Sequence, residues 1–311
     1  MGATATPERT DGRGLNKFFT DMVMAPSVRE LILGGYLCNF VYYPGQEAVD
    51  IEDTSSQSAM DQEASKKVLV GDIHKEFQDR VSPGEQVLLF GPTVEQSKEY
   101  AHKFESLGVN AVHLDAKTPE NERRACVERF KNGEITVLSN INLFSEGFNS
   151  PDCRWLFMAK PTSSIIQFRQ MCGRVLRKKK DPKIKAGIVD FVKNYKRCGL
   201  PDDDIAWSLD SRVKKDKKER KYKECKSCGG MNYIHQKNCK YCGTPFPVYG
   251  NRSSLESVHG KFGTIESFYD KLIASHDRGR VNFYQFCELN NVKKPDLKAF
   301  FDEISALKNN G

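Results

Sequence analysis

Four cysteines stand at the spacing of a metal centre. The segment ECKSCGGMNYIHQKNCKYCG sets Cys225 and Cys228, then Cys239 and Cys242, as two CxxC pairs with ten residues between them. Each CxxC can turn its two thiolates toward one tetrahedral centre, and Gly229 and Gly243 permit the tight turn that follows. Zinc is the expected ion. A disulfide or a redox CxxC is the plainer alternative, against which two matched knuckles in one short polar segment argue. All four positions are thiolates, so no coordination site stays open for a catalytic water and the metal is expected to be structural. A zinc-dependent nuclease is therefore disfavoured. The segment is poor in apolar residues, and metal binding, with about 10–16 kcal/mol of apparent free energy, is expected to fold it. His235 lies between the pairs and reads as a loop residue.

A second cluster lies in SSIIQFRQMCGRVLRKKK. At about 100° per residue, a helix there gathers Ile165, Phe168, Cys172, Val175 and Leu176 on one side and Gln167, Gln170, Arg174 and Arg177 on the other. Two guanidiniums one turn apart suit an anion with several oxygens, such as a triphosphate, and equally describe a basic solvent face. Gly173 lowers helix propensity yet lets a backbone or ligand come close. Asp190 ends an apolar run with no acid after it and reads as a strand-end carboxylate; Asp302-Glu303 falls in a helical pattern.

The elements that must position these groups follow from periodicity. Short apolar runs at 86–90, 111–114, 135–138, 155–158 and 187–191 alternate with amphipathic segments, the pattern of an α/β domain with a parallel sheet over 85–205. Thr93 with Gln96 predicts a capping box opening a helix that carries Val94, Tyr100, Ala101, Phe104 and Leu107 before Gly108 stops it. Thr118-Pro119 predicts the start of a helix that buries Cys126, Val127 and Phe130. The acidic, Ser-rich stretch from Asp50 to Ser65 reads as a flexible hinge, followed by a helix to about Val81. Near the C-terminus, Ile265, Phe268, Tyr269, Leu272 and Ile273 mark one helix of a small helical domain over 258–308. Its segments fit a helix-turn-helix or, preferably, a helical cap or docking module.

The motifs around the arginines resemble one family. QMCGRVLR matches the Q-x-x-G-R-x-x-R signature of superfamily 2 helicases, the sixth motif of their second RecA-like domain. NINLFSEGFNSPDC is similar to the fifth motif through Glu146, Gly147 and Pro151, with Asn149 where the family usually has Asp. VLLFGPTVEQSKEYAHKFESLG resembles the fourth, and Thr4 to Pro7 resembles the third, which normally lies near the end of the first RecA-like domain. The resemblance spans about residues 3–205. It implies a RecA-like sheet flanked by helices, with 1–37 as the tail of a first RecA-like domain, 38–84 as interdomain linker and helix, and 85–205 as the helicase C-terminal domain. A basic linker (206–224) and a four-Cys zinc ribbon (225–243) follow.

In such enzymes ATP is held mainly by the first domain, and the motif arginines reach its phosphates. The resemblance thus assigns Arg174 and Arg177 as arginine fingers and Gln170 to the same cleft, where Gly173 allows close approach. Glu146, Gly147 and Asn149 would link nucleotide to the bound strand. The sequence holds no G-x-x-x-x-G-K-[ST] phosphate loop; its one Gly-Lys, Gly260-Lys261, lacks both the leading glycine and the hydroxyl. ATP and Mg2+ are therefore expected only with a first RecA-like domain supplied by another chain or segment, and no ATPase activity is expected alone. The alternative is a standalone nucleic-acid-binding or regulatory zinc protein on a helicase-like scaffold.

Composition and charge fit a nucleic-acid partner. Hydrophobic residues make up 39% and charged ones 29%, enough for packed cores, and no apolar run is long enough to span a membrane. The net charge of +7 is nearly matched by one strip, Arg212 to Lys226, with nine basic and three acidic residues. That strip is either a solvated linker or a footprint for phosphates. DNA is favoured over RNA because the resemblance is nearest to repair and phage-type helicases. Six scattered cysteines and the lack of a readable signal peptide predict a cytoplasmic protein, and the resemblance to phage-type helicases implies a prokaryote or a virus-infected host cell.

Overall fold

The structure is a computed structural model, in which residues 14–68, 70–141, 143, 150–205, 207–210 and 222–246 are described. The chain divides into two compact units, Met1–Thr244 and Pro245–Gly311, and the description concerns the first. The motif at Thr4 to Pro7, most of the basic strip (212–221) and the helices expected over 258–308 fall outside the described residues.

Six strands form one parallel sheet: β1 (Phe40–Pro44), β2 (Val87–Phe90), β3 (Ala111–Leu114), β4 (Val137–Asn140), β5 (Trp155–Met158) and β6 (Ala186–Asp190). Their order is β1-β6-β5-β2-β4-β3. Side chains alternate across the strands, so each face has its own core. Leu88, Phe90, Leu138, Leu156, Met158 and Ile188 face one side. There they meet α5 (Glu120–Lys131), through Cys126 and Phe130, and α6 (Ile165–Gly173), through Phe168, Met171 and Cys172. Val87, Leu89, Val137, Trp155, Phe157 and Val189 face the other. They pack on α2 (Gln57–Lys67), α3 (Val70–Arg80) and α4 (Val94–Ser106) through Met60, Ile73, Tyr100 and Phe104. Two short helices, α1 (Val28–Leu33) and α7 (Asn194–Cys198), and an antiparallel pair, β7 (Tyr222–Glu224) with β8 (Met231–Tyr233), complete the described elements. No helix among the described residues is long and apolar enough to cross a membrane.

The five strands expected from the sequence are present, the one expected at 135–138 lying two residues further on at Val137–Asn140, and a sixth comes from the segment expected to be linker. β1 pairs with β6 in register from Phe40↔Ala186 to Pro44↔Asp190. Its sequence, FVYYP, shows no alternation and ends in proline, which an edge strand tolerates because its outer side needs no ladder donor. The expected hinge is also ordered. α2 occupies much of it, and its acids are paired: Asp50 with Lys193 (2.6 Å) and Lys196 (2.5 Å), and Asp61 with the buried Lys160 (3.0 Å).

Two expected caps differ in detail. The Thr93 side chain accepts the Gln96 amide as expected, but the Gln96 side chain donates to Ser65 O and Val68 O rather than back to the cap. Thr118 does not cap α5, which opens at Pro119; its hydroxyl closes a turn with Asp115. Gly108 ends α4 at φ +78° as expected, while Leu107 is exposed rather than on the packed face.

At the sheet centre, Trp155 of β5 lies beside Gly187 of β6 in register, its ring stacked 6.1 Å from Tyr43. A Cβ on Gly187 would fall inside the Trp155 ring contact. Gly187→Ala is expected to destabilise the chain by about 1–3 kcal/mol through overpacking, measured as a lower denaturation midpoint with an unchanged slope.

Candidate functional site

The four cysteines converge. Cys225 Sγ is 3.7 Å from Cys242 Sγ, Cys228 Sγ is 3.6 Å from Cys239 Sγ, and all four sulfurs lie within 4.8 Å of one another. Sulfurs held about 2.3 Å from one ion stand about 3.8 Å apart along the edges of a tetrahedron, so the donor set fits a four-thiolate ion. Each knuckle closes by the same backbone turn, Gly229 N to Cys225 O (2.7 Å) and Gly243 N to Cys239 O (2.9 Å). Both glycines sit at positive φ, +71° and +76°, where a side chain would be strained. This cluster is the four-Cys group expected from the spacing, and its four sulfurs could hold one metal ion. His235 takes no part in it and stacks on Tyr233.

Asn232, which the spacing did not single out, ties the two knuckles together. Fully buried, it donates to Gly230 O (2.7 Å) and to Cys239 Sγ (3.4 Å) and accepts the Lys240 amide (2.9 Å). Thr244 Oγ1 lies 3.1 Å from Cys242 Sγ. The sequence signal of Asn232 is an amide side chain standing inside β8 between the two pairs, where an apolar residue would otherwise be expected.

The arginine segment is built differently from the helix expected there. Ser164 caps α6 by accepting the Gln167 amide, and Gln170 lies half-buried on the helix. The helix ends at Gly173, after which Arg174 N bonds Met171 O and Val175 N bonds Cys172 O, tightening the last turn. Arg174 is the C-cap, while Arg177 lies beyond the helix in an antiparallel bridge to Leu37. The two guanidiniums therefore do not share one helical face a turn apart. Past the helix, Leu176 O accepts from Cys38 N at 2.9 Å, which ties the chain to the approach of β1. A Cβ on Gly173 would meet nothing within 4 Å, so the glycine borders open space rather than a close neighbour. Of the basic run that follows, Lys179 is buried and donates to Pro151 O (2.8 Å) and Cys153 O (2.5 Å), holding the chain that enters β5. Burial lowers its pKa. Glu146, Gly147 and Asn149 lie outside the described residues.

Two further polar groups are structural. Asp190 is fully buried at the end of β6, where it accepts from Tyr42 Oη (2.5 Å), Val192 N (3.2 Å) and Tyr195 N (3.2 Å). Burial pushes its carboxyl up and the Tyr42 hydroxyl opposes that shift. At the ends of β3 and β4, Ser97 Oγ lies 2.8 Å from His113 Nδ1 and 2.6 Å from Ser139 Oγ, with Asp115 3.3 Å from His113 Nε2. Both serines are fully buried, so this chain of side chains locks α4 to the sheet and offers no accessible nucleophile.

Comparison with known proteins places this geometry. Residues 66–179 match the model of the helicase conserved C-terminal domain. A 51.5 kDa protein of a Lactococcus phage (isolate 7-9) is 35% identical over 272 residues, which are 84% of this chain and 57% of that protein. A Saccharomyces cerevisiae protein named as ATP-dependent helicase IRC3 is 28% identical over 203 residues, 62% of this chain and 29% of its own length. This chain thus spans little more than half of the phage relative and under a third of the yeast one. Among solved structures, a fragment of an HsdR subunit of a type I restriction enzyme from Vibrio vulnificus shares the fold, with a TM-score of 0.51 at 20% identity, over 64% of this chain and 42% of that one.

Removing a ligand, as in Cys225→Ser, is expected to abolish retention of one metal ion per chain. Asn232→Ala is expected to weaken it roughly 10- to 100-fold by loosening the groups around the sulfurs. Elemental analysis after graded chelation measures both, and full retention in Asn232→Ala would remove Asn232 from the site.

Proposed function

We propose that this chain, whose residues 66–179 are a helicase conserved C-terminal domain, is the C-terminal motor half of an ATP-dependent superfamily 2 helicase or translocase that acts on nucleic acid. The observation that carries the reading is the arginine segment itself. Inside the matched domain, Arg174 caps the end of α6 and Arg177 follows on backbone held by Cys38 and Leu37, beside a glycine that borders open space.

Two guanidiniums on fixed backbone suit phosphate oxygens, and phosphoryl transfer uses such groups to offset charge that develops in the transition state. In this reading Arg174 and Arg177 act as arginine fingers, and Gln170 orients within the same cleft. Gly173 keeps the approach open, and Glu146, Gly147 and Asn149 link the nucleotide to the bound strand. A phosphate cradle and Mg2+ are needed too, and the 311 residues contain no phosphate loop. ATP and Mg2+ then bind only when a first RecA-like domain is supplied by a separate chain or by further sequence. The four cysteines hold zinc as a structural ion. The basic strip beside them contacts the phosphates of nucleic acid, DNA in preference to RNA. The phage relative agrees with work in the cytoplasm of an infected cell.

The test is turnover. The 311-residue chain alone is expected to show negligible ATPase activity, and a chain bearing a first RecA-like domain is expected to restore nucleic-acid-stimulated hydrolysis. In the restored motor, Arg174→Ala and Arg177→Ala are each expected to lower kcat by roughly 10³- to 10⁵-fold. Hydrolysis by the pure chain, or a double variant that keeps its turnover, would overturn the reading. A double variant that still binds nucleic acid normally, with no turnover recoverable from the parent under any pairing, favours a standalone binding protein instead.

A further inference from the structure

We propose that metal loading of the four-cysteine ribbon is transmitted through β1 to the backbone of Leu176 and Arg177, so that the ribbon is a positioning device for the arginine segment. The functional consequence rests on the arginine reading above; the coupling itself does not.

The ribbon straddles the edge strand of the sheet. On one face of β1 the Tyr241 ring meets Phe40 edge-on, with centroids 6.0 Å apart. From the other side the Gly230 backbone closes on Val41, and Gly229 lies against the Tyr43 ring. A Cβ on Gly230 would stand 3.1 Å from Val41 Cγ1 and would strike the Tyr241 ring, so only glycine lets the ribbon seat this closely. Polar contacts fix the seat. Lys240 Nζ pairs with Asp202 at 2.7 Å and lies 5.3 Å and 5.0 Å from the ring centroids of Phe40 and Tyr241. Lys185 Nζ donates to Tyr241 O at 3.0 Å, and Tyr222 Oη donates to Tyr195 O at 3.0 Å.

Tyr241 and Lys240 stand between Cys239 and Cys242, so an ion that holds those two sulfurs also holds the residues that grip β1. The strand passes the constraint on. Two residues before Phe40, Cys38 N donates to Leu176 O at 2.9 Å and Cys38 Sγ lies 3.4 Å from Val175 O, while Leu37 bridges Arg177. The contacts are unbroken from sulfur to arginine. Coupling also needs an element with two states, and small four-thiolate segments supply one in general, because the ion's binding free energy is part of their folding free energy. Loss of the ion would remove the ribbon's cover from Phe40 and Val41 and lower the free energy of local opening along the edge strand.

Hydrogen exchange on the full 311-residue chain tests this, comparing metal-loaded and chelated protein and counting metal by elemental analysis. Chelation is expected to speed exchange at residues 37–44 and 174–177 by roughly tenfold or more while β2 and β4 keep their protection. Tyr241→Ala is expected to retain its metal and show the same loss of protection at both segments. Exchange that rises only within 222–244 on chelation, or a metal-loaded Tyr241→Ala that matches the parent at both segments, would overturn the coupling. If chelation unfolds the whole chain or Tyr241→Ala fails to fold, Lys240→Ala decides. It keeps the ring but removes the ion pair and the cation–π contacts, and is expected to raise exchange at the same two segments; no change there overturns the proposal. A motor in which Arg177→Ala keeps its turnover would remove the arginine reading and leave the exchange result standing.

Discussion

The pairing of β1 with β6 is the interaction on which the described unit depends. Five residue pairs join Phe40–Pro44 to Ala186–Asp190, and they bring together parts of the chain nearly 150 residues apart in sequence. Such a contact carries a large loop-closure entropy, so it must be held by more than its backbone bonds. Tyr42 supplies part of the rest, because its hydroxyl reaches Asp190 and its ring packs edge-on against Tyr195 at 6.1 Å. Asp190 in turn accepts the Val192 and Tyr195 amides and so fixes the entrance to α7. A carboxylate this deep is tolerable only with those three donors in place.

The same edge gathers the pieces that bear on function. Its N-terminal approach holds Leu176 and Arg177, its two faces receive the cysteine ribbon, and its exit runs into the segment that carries α2. That last segment is fastened on the far side by the buried Lys160, whose pairing with Asp61 ties α2 to the end of β5. Gln57 adds a bond to Pro161 O at 2.7 Å. Removing one partner of such a pair leaves an uncompensated buried charge, a much larger cost than any surface ion pair. The segment between β1 and β2 that carries α2 is thus integral to the domain.

Much of this was legible from residue types and order, and the misses share a cause. The cysteine ribbon, the strands at 86–90, 111–114 and 155–158 and the faces of α4 and α5 follow from local spacing, where one residue type or one period decides. β1 escaped because FVYYP has no period and owes its conformation to a partner at 186–190. The Asp50 to Ser65 stretch read as a hinge because its acids look solvated in sequence, whereas their lysine partners lie about 100 residues or more downstream. Asn232 was invisible for the same reason: its worth lies in groups that only the folded ribbon brings to it.

The end of α6 shows why a helical wheel can find the right residues with the wrong geometry. Treated as one helix through Arg177, the segment sets two guanidiniums in a common arc. In the structure, the periodic apolar pattern continues through Val175 and Leu176 although the helix has stopped, because both side chains are still buried by the tightened turn and the bridge to Leu37. Burial, which the period reports, is preserved, while direction, which the wheel infers from it, is not. The consequence is physical. Two arginines on a helix would share one rigid frame, but here Arg174 belongs to the helix terminus and Arg177 to a backbone bridge anchored on β1. Their separation is therefore set by how firmly β1 is held, and a constraint at the sheet edge becomes a constraint on the spacing of two charges.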